Sequence, residues 1–67
     1  MITITVNGET RQIPAELTLS GLIEQLGHTG RRIAIERNGE IVPKSLHGGT
    51  MLAAGDKLEI VVAVGGG

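Results

Sequence analysis

Hydrophobic and polar residues alternate along the first part of the chain. In Ile2–Val6, isoleucine and valine are separated by threonine, which is the period-two pattern of a β-strand with one buried face. Asn7 and Gly8 follow directly, and this pair favours a tight hairpin turn because both residues accept a positive φ. The pattern therefore predicts a second strand from about Glu9 to Ile13, which Pro14 ends.

The hydrophobic period changes from two to that of a helix after Thr18. The apolar positions are spaced i, i+3, i+4 and i+7, which places them on one stripe of a short helix: Leu19, Leu22, Ile23 and Leu26. Thr18 is the expected N-cap, and Gly27 is expected to end the helix in the left-handed conformation. A helix this short is not stable alone, so the stripe must pack against a sheet.

Strand-like alternation returns in the second half of the chain. It begins at Ile33–Ile35, and Asn38 with Gly39 predicts a second tight turn into a short strand. That strand contains Ile41 and Val42 and ends at Pro43. Further along, Gly48 and Gly49 lack the lysine and the helix signature of a phosphate-binding loop, so they are interpreted as a turn.

The last predicted strand follows Gly55 and Asp56 and runs directly into three glycines. Its inward face is predicted to carry Leu58, Ile60, Val62 and Val64, and its outward face Lys57, Glu59, Val61 and Ala63. On the outward face, opposite the helix, the small apolar groups near the tail form a possible docking patch for a partner: Val61 and Ala63, together with the adjoining Val64. Scattered surface apolar residues without a role are an equally good interpretation.

The order of these elements predicts an α+β fold. It consists of a mixed sheet of four to five strands with one main helix packed on one face, as in the β-grasp (ubiquitin-like) architecture. Periodicity alone also fits other small α+β folds. The predicted division is a domain over residues 1–64 and a flexible C-terminal glycine tail over residues 65–67.

Composition narrows the classes of function. The 67 residues have a formal net charge of −1 and contain no aromatic residue, so the chain lacks both the basic surface and the stacking rings of a typical nucleic-acid-binding protein. It also contains no cysteine, which excludes disulfides, thiolate metal sites and a cysteine nucleophile. No apolar run approaches the roughly 20 residues of a membrane span, and the expected location is the cytoplasm.

The residues with side-chain chemistry show no catalytic pattern. His28 and His47 are far apart in loop-like sequence and are interpreted as surface histidines without a metal. Arg31, Arg32 and Arg37 have two interpretations, a contact with an acidic partner surface and a solvated charged face, and the second is the more common for such a short cluster. No spacing of Ser, His and Asp indicates a triad, so the chain is not expected to be an enzyme.

The glycine ending has two interpretations. Glycine-rich termini are commonly just mobile. Alternatively, Gly65 and Gly66 lack Cβ atoms and can thread a narrow channel, so that the carboxylate of Gly67 reaches the interior of a partner enzyme. Composition alone favours the first interpretation.

Two longer segments carry a family resemblance. The segments Ala34–Pro43 and Leu52–Val61, together with the ending at Gly66 and Gly67, resemble ThiS, the sulfur carrier family of thiamine biosynthesis. The likeness covers essentially the whole chain in length and element order. The stretch before Met51 lacks the aromatic residue that some members carry, which leaves one detail of the partner surface open.

The resemblance implies a carrier that is a substrate of other proteins and binds no cofactor itself. An E1-like adenylating enzyme would use ATP to activate the carboxylate of Gly67, and a sulfur donor system would convert it into a thiocarboxylate. Thiazole synthase would receive the sulfur. Three alternatives stay open: a ubiquitin-like protein modifier, a molybdopterin-type sulfur carrier, and a binding module whose tail is inert. Neither nucleic acid nor a membrane is an expected partner.

Overall fold

A computed structural model describes residues 1–63 of the chain. It contains five strands, an α-helix and a 3₁₀ helix, in the order β1 (Ile2–Val6), β2 (Glu9–Ile13), α1 (Leu19–Gln25), β3 (Ile33–Arg37), β4 (Glu40–Val42), the 3₁₀ helix (Lys44–Gly49) and β5 (Lys57–Val62). The strands form one mixed sheet in the order β2-β1-β5-β3-β4. Strands β1 and β5 are parallel, and the other neighbours are antiparallel. The prediction of an α+β fold with a mixed sheet is confirmed.

Both predicted hairpin turns are present. Asn7 and Gly8 have φ values of 50° and 84°, and Asn38 and Gly39 have 52° and 87°. Positive φ at both central residues gives a turn whose twist matches that of the flanking strands. The first turn aligns the ends of β1 and β2, where Val6 lies opposite Glu9.

The helix begins and ends where the sequence predicts. The Thr18 hydroxyl oxygen accepts a hydrogen bond of 3.1 Å from the backbone N–H of Gly21, which satisfies one of the free donors of the first turn. Gly27 follows the helix with a φ of 77°, and its N–H donates to the carbonyl of Glu24. Leu19, Leu22 and Ile23 are buried, so the predicted stripe is the face that packs on the sheet.

The core lies between α1 and one face of the sheet. Its ten buried apolar residues come from every element except β4 and the 3₁₀ helix, and from the segment before β5: Ile4, Val6, Ile13, Leu19, Leu22, Ile23, Ile35, Leu52, Leu58 and Ile60. The inward face of β5 is as predicted at Leu58 and Ile60, while Val62 is half-buried. The strand ends at Val62 rather than continuing through Ala63, although the N–H of Ala63 still donates to the carbonyl of Arg32.

The segment between β4 and β5 differs from the prediction. Lys44–Gly49 forms a 3₁₀ helix after Pro43, so Gly48 and Gly49 lie at its end and not in a simple turn. The interpretation of His47 as a surface residue is wrong, because this helix turns the imidazole inward and leaves it only 5% exposed. Its Nε2 donates to the carbonyl of Val42 at 3.0 Å. A carbonyl only accepts hydrogen bonds, so Nε2 carries the hydrogen.

Within the 63 described residues, no helix is long and apolar enough to cross a membrane.

Candidate functional site

The face of the sheet opposite α1 carries the candidate docking residues. Antiparallel register places Ala34 opposite Val61 and Glu36 opposite both Ile41 and Glu59. All of these side chains are exposed. We call the surface formed by Ala34, Glu36, Ile41, Glu59 and Val61 the outer sheet face.

The outer sheet face holds two of the exposed large hydrophobic residues of the described chain. Ile41 is 66% exposed and Val61 is 64% exposed. Both belong to strands whose opposite faces pack on the core, so their exposure follows from the pleat and not from poor packing. The predicted placement of Val61 opposite the helix is confirmed.

The other predicted site residues lie at the end of β5 or beyond it. Ala63 follows the strand and is exposed, one residue past Val62, which pairs with Ile33. Val64 and the predicted tail residues Gly65, Gly66 and Gly67 lie outside the described residues. β5 is the central strand of the sheet. It pairs with β1 at Lys57 and Leu58 and with β3 as far as Val62, so β3 holds the segment that leads to the tail.

A buried carboxylate anchors the start of β5. Asp56 is 5% exposed, and its Oδ2 accepts hydrogen bonds from Nε of Arg37 at 2.9 Å and from the N–H of Ala53 at 2.8 Å. Its Oδ1 accepts from the side-chain amide of Asn38 at 3.1 Å. Burial by itself raises the pKa of Asp56, but the three hydrogen bonds and the charge of Arg37 outweigh it and hold the pKa below its ordinary value.

The interpretation of Arg37 as part of a solvated charged face is wrong. Arg31 and Arg32 are exposed as expected, whereas Arg37 is half-buried and forms an ion pair with Asp56. The sequence showed Asp56 only as part of a turn after Gly55. A lone aspartate before an apolar strand was the available signal, but nothing local indicated that an arginine of another strand would reach it.

Asparagine side chains attach both hairpin turns to β5. The amide of Asn7 donates from Nδ2 to the carbonyl of Ile60 at 3.0 Å and accepts at Oδ1 from the Ile60 N–H at 2.7 Å. Oδ1 of Asn38 accepts from the N–H of Lys57 at 2.9 Å. The Asn7 amide thus takes the place of a neighbouring strand's peptide group, and together the two side chains hold β5 between the two hairpins.

A second surface feature is a groove of about 310 Å³ between α1, the loop before β3 and the 3₁₀ helix. It is lined by residues that include Ile23, His28, Arg31, Lys44 and His47. His28 and His47 therefore lie along the same groove, although the sequence separated them. The described residues form no cluster of three or more His, Cys, Asp or Glu side chains that could hold a metal ion.

Comparison with known proteins assigns the chain to a family. The ThiS family model matches residues 4–67, which is nearly the whole sequence. The chain belongs to the ThiS family. The resemblance identified from Ala34–Pro43, Leu52–Val61 and the glycine ending is confirmed.

Solved ThiS structures share the fold. The crystal structure of the thiamine biosynthesis protein ThiS from Geobacter metallireducens superposes with a TM-score of 0.82 at 26% identity, covering 98% of this chain and 100% of that one. A solution structure of a thiamine biosynthesis protein from the same organism gives a TM-score of 0.78. These likenesses confirm the predicted β-grasp fold.

The relatives with higher sequence identity to this chain are of two kinds, thiazole synthases and ycf40 proteins. The thiazole synthase of Paramagnetospirillum magneticum is 47% identical over 64 residues, and that of Magnetococcus marinus is 38% identical. The chain spans only 20% of the length of these two proteins. In contrast, the ycf40 protein of Porphyra purpurea is 39% identical over 66 residues, and the match covers 93% of it.

Proposed function

We propose that this chain is the sulfur carrier protein of thiamine biosynthesis and that it carries sulfur as a thiocarboxylate on Gly67. The observation that supports this most directly is the match of the ThiS family model to residues 4–67, which includes the three terminal glycines. The solved relatives named as thiamine biosynthesis proteins support the same pathway.

The proposed chemistry begins with activation, because a carboxylate is a poor electrophile. In an E1-like partner, an oxygen of the Gly67 carboxylate attacks the α-phosphorus of ATP and pyrophosphate leaves. Hydrosulfide, delivered by a sulfur donor system, then adds to the acyl carbon and AMP leaves with the bonding electrons. The product is a thiocarboxylate, a sulfur nucleophile that stays covalently attached to its carrier.

In this scheme the chain is a protein substrate and not an enzyme. ATP belongs to the activating partner, and the chain itself needs no bound cofactor. With no cysteine, the carrier has no thiol that could compete for the activated acyl group, so the sulfur ends on Gly67 alone. Val61 and Ala63, with Val64 next along the chain, are proposed to dock while Gly65 and Gly66 thread into the partner.

Thiazole synthase is the proposed receiver of the sulfur. Two proteins of that name contain a segment similar to this chain as one fifth of their length. A carrier segment within the same polypeptide as its receiver raises the effective concentration of one for the other. This arrangement in the relatives supports a functional link between this chain and such a synthase.

Intact-mass spectrometry tests the proposal. The chain is incubated with the ATP-dependent activating enzyme and sulfide, with and without a thiol-alkylating reagent. The expected result is a mass gain equal to the exchange of one oxygen for sulfur, followed by a single alkyl adduct that maps to Gly67. Since the chain has no cysteine, any adduct of this kind reports the thiocarboxylate.

A pair of glycine variants controls this experiment. Gly67→Val should block activation while leaving thermal unfolding unchanged, because the buried core residues of the described chain lie between Ile4 and Ile60. Gly49→Ala is the matched control, since a Cβ at that position meets no atom within 4 Å, and it should be activated like the parent. An unmodified parent chain in the presence of a competent enzyme would refute the carrier role, and conjugates of higher mass that peptidase cuts would indicate a protein modifier instead.

A further inference from the structure

The groove between α1, the loop before β3 and the 3₁₀ helix has a positive lining. Among the described residues that line it, Arg31 and Lys44 carry positive charges and Glu24 carries a negative one, whereas the whole chain has a formal net charge of −1. In the part of the chain that the structure describes, the salt bridge is that of Arg37 with Asp56, so it engages neither cation of the groove. Both cations are therefore available to an anion that enters the groove.

A buried imidazole also lines the groove. His47 is 5% exposed, and its Nε2 donates to the carbonyl of Val42, so in the neutral ring Nδ1 keeps a lone pair and accepts. No described residue bonds to Nδ1, yet the described residues contain no fully buried side-chain nitrogen or oxygen without a partner. Nδ1 must therefore be open to solvent, and the groove is the opening that His47 lines. A ligand that fills the groove must offer this nitrogen a hydrogen-bond donor, because an acceptor left unpaired costs free energy.

The carbonyl groups at the end of α1 are already hydrogen-bonded. Such carbonyls carry partial negative charge and disfavour an anion nearby. Here the carbonyl of Ile23 accepts from the N–H of His28, and that of Glu24 accepts from the N–H of Gly27, both at 3.0 Å. The last turn of this seven-residue helix thus opposes an anion in the groove only weakly.

We infer that this groove binds a phosphate group that carries a hydroxyl, either hydrogen phosphate itself or a singly protonated phosphomonoester. The phosphate oxygens accept from Arg31 and Lys44, and the phosphate hydroxyl donates to Nδ1 of His47. The hydroxyl groups of Ser20 and Thr29 line the same groove and can complete the set of contacts. A carboxylate or a sulfate at neutral pH only accepts hydrogen bonds, so either ion would leave Nδ1 unpaired.

The size of the groove also suits this ligand. Its volume of about 310 Å³ lies at the lower end of the range for small-molecule sites. That volume leaves room for a small organic group beside the phosphate. Ile23 and Ile33 line the groove as well and give such a group an apolar surface.

The test is a titration of the ¹⁵N-labelled chain with inorganic phosphate and with sulfate, followed by NMR at pH 7 and constant ionic strength. We expect saturable amide shifts at Thr29, Arg31 and Lys44 with phosphate. Sulfate should bind about tenfold more weakly, because it leaves the Nδ1 acceptor unpaired. The ¹⁵N signal of His47 Nδ1 should move toward that of a hydrogen-bonded nitrogen with phosphate only. Equal binding of the two anions, or an Nδ1 signal that phosphate leaves unchanged, would overturn the inference.

Two double variants separate a site from a general effect of charge. Arg31→Gln/Lys44→Gln removes both cations of the groove at exposed positions and should weaken phosphate binding about tenfold or more. Arg11→Gln/Lys57→Gln makes the same charge change at exposed positions of β2 and β5 and should leave the affinity within twofold of the parent. Equal weakening in the two variants would contradict a site in the groove.

Phenyl phosphate identifies the source of the phosphate group. Tighter binding of phenyl phosphate than of inorganic phosphate would support an ester whose organic group packs on Ile23 and Ile33, and the reverse order would support the free ion. If neither bound more tightly than sulfate, the inference would be wrong. The chain is titrated alone, without an activating enzyme, so the result is independent of the proposed sulfur chemistry at Gly67.

Discussion

At the scale of single residues, Asp56 connects more separate segments of the chain by hydrogen bonds than any other side chain described above. It accepts hydrogen bonds from Arg37, Asn38 and Ala53, which come from β3, the turn after it and the segment before β5. If this buried carboxylate loses its charge, the three donors lose a charged acceptor. Removing one partner of a buried pair lowers the stability of the fold.

Asp56→Asn should therefore lower the free energy of unfolding by about 2–3 kcal/mol at pH 7. An amide cannot accept all three bonds and brings an N–H group toward other donors. Urea unfolding of the variant and the parent measures the difference, and Glu16→Gln, an exposed change of the same charge, serves as control. A difference below about 0.5 kcal/mol would show that the cluster is not stabilising.

The difference in stability between the parent and Asp56→Asn should depend on pH. The pKa of Asp56 is lowered in the folded state from its ordinary value of 3.8, so the folded chain holds the proton less tightly than the unfolded chain. The stability that Asp56 contributes is thus fully present above about pH 5 and is lost as the pH falls below about 4 toward the folded pKa. The advantage of the parent over Asp56→Asn should be constant between pH 7 and pH 5 and should shrink below pH 4.

At the scale of the elements, the pairing of β1 with β5 is short. Its parallel register contains only Thr5 with Lys57 and Val6 with Leu58. The Asn7 side chain lengthens it by bonding to both the N–H and the carbonyl of Ile60. The turn residue of one hairpin is thereby also part of the central sheet.

Asn7→Gly tests this second role because glycine keeps the positive φ that the turn needs. The variant loses two hydrogen bonds, each worth about 0.5–1.5 kcal/mol net. The free energy of unfolding should therefore fall by about 1–3 kcal/mol. Amide hydrogen exchange should also become faster at Ile60 while the α1 amides change only with global stability. Parent-like exchange at Ile60 would show that the side-chain bonds do not protect this strand.

At the scale of the whole molecule, ten buried apolar side chains form the core of the 63 residues that the structure describes. Domains of this size have a total stability of about 3–10 kcal/mol, so each fully buried side chain is a large fraction of it. Leu22 is 0% exposed and lies at the centre of the helix face that covers the sheet.

Leu22→Ala should cost about 2–5 kcal/mol through lost burial and the cavity left behind, and Leu22→Asp should unfold most of the domain. Leu46→Ala is the control in the same protein, because Leu46 is 54% exposed and should cost less than about 1 kcal/mol. Circular dichroism during thermal unfolding compares the three variants. Equal effects at Leu22 and Leu46 would contradict the assignment of the core.

The sequence by itself determined the elements whose causes are local. The period of the apolar residues, the Asn-Gly turns, the Thr18 cap and Gly27 each act within a few residues of chain, so the strands and the helix stand where the pattern predicted them. The outward position of Val61 followed from the same period. The family resemblance, which also depends only on residues in order, led to the proposed chemistry at Gly67.

Only the tertiary structure decided the features that depend on residues far apart in the chain. Burial of His47 requires the 3₁₀ helix to fold against α1, and the ion pair of Arg37 with Asp56 requires β3 to lie beside β5. The meeting of Glu36 with Glu59 likewise depends on strand register, because a shift of β3 by one residue would turn Glu36 to the other face and leave Glu59 in place. Local patterns specify which way a side chain points, whereas strand order and register decide which side chains it meets.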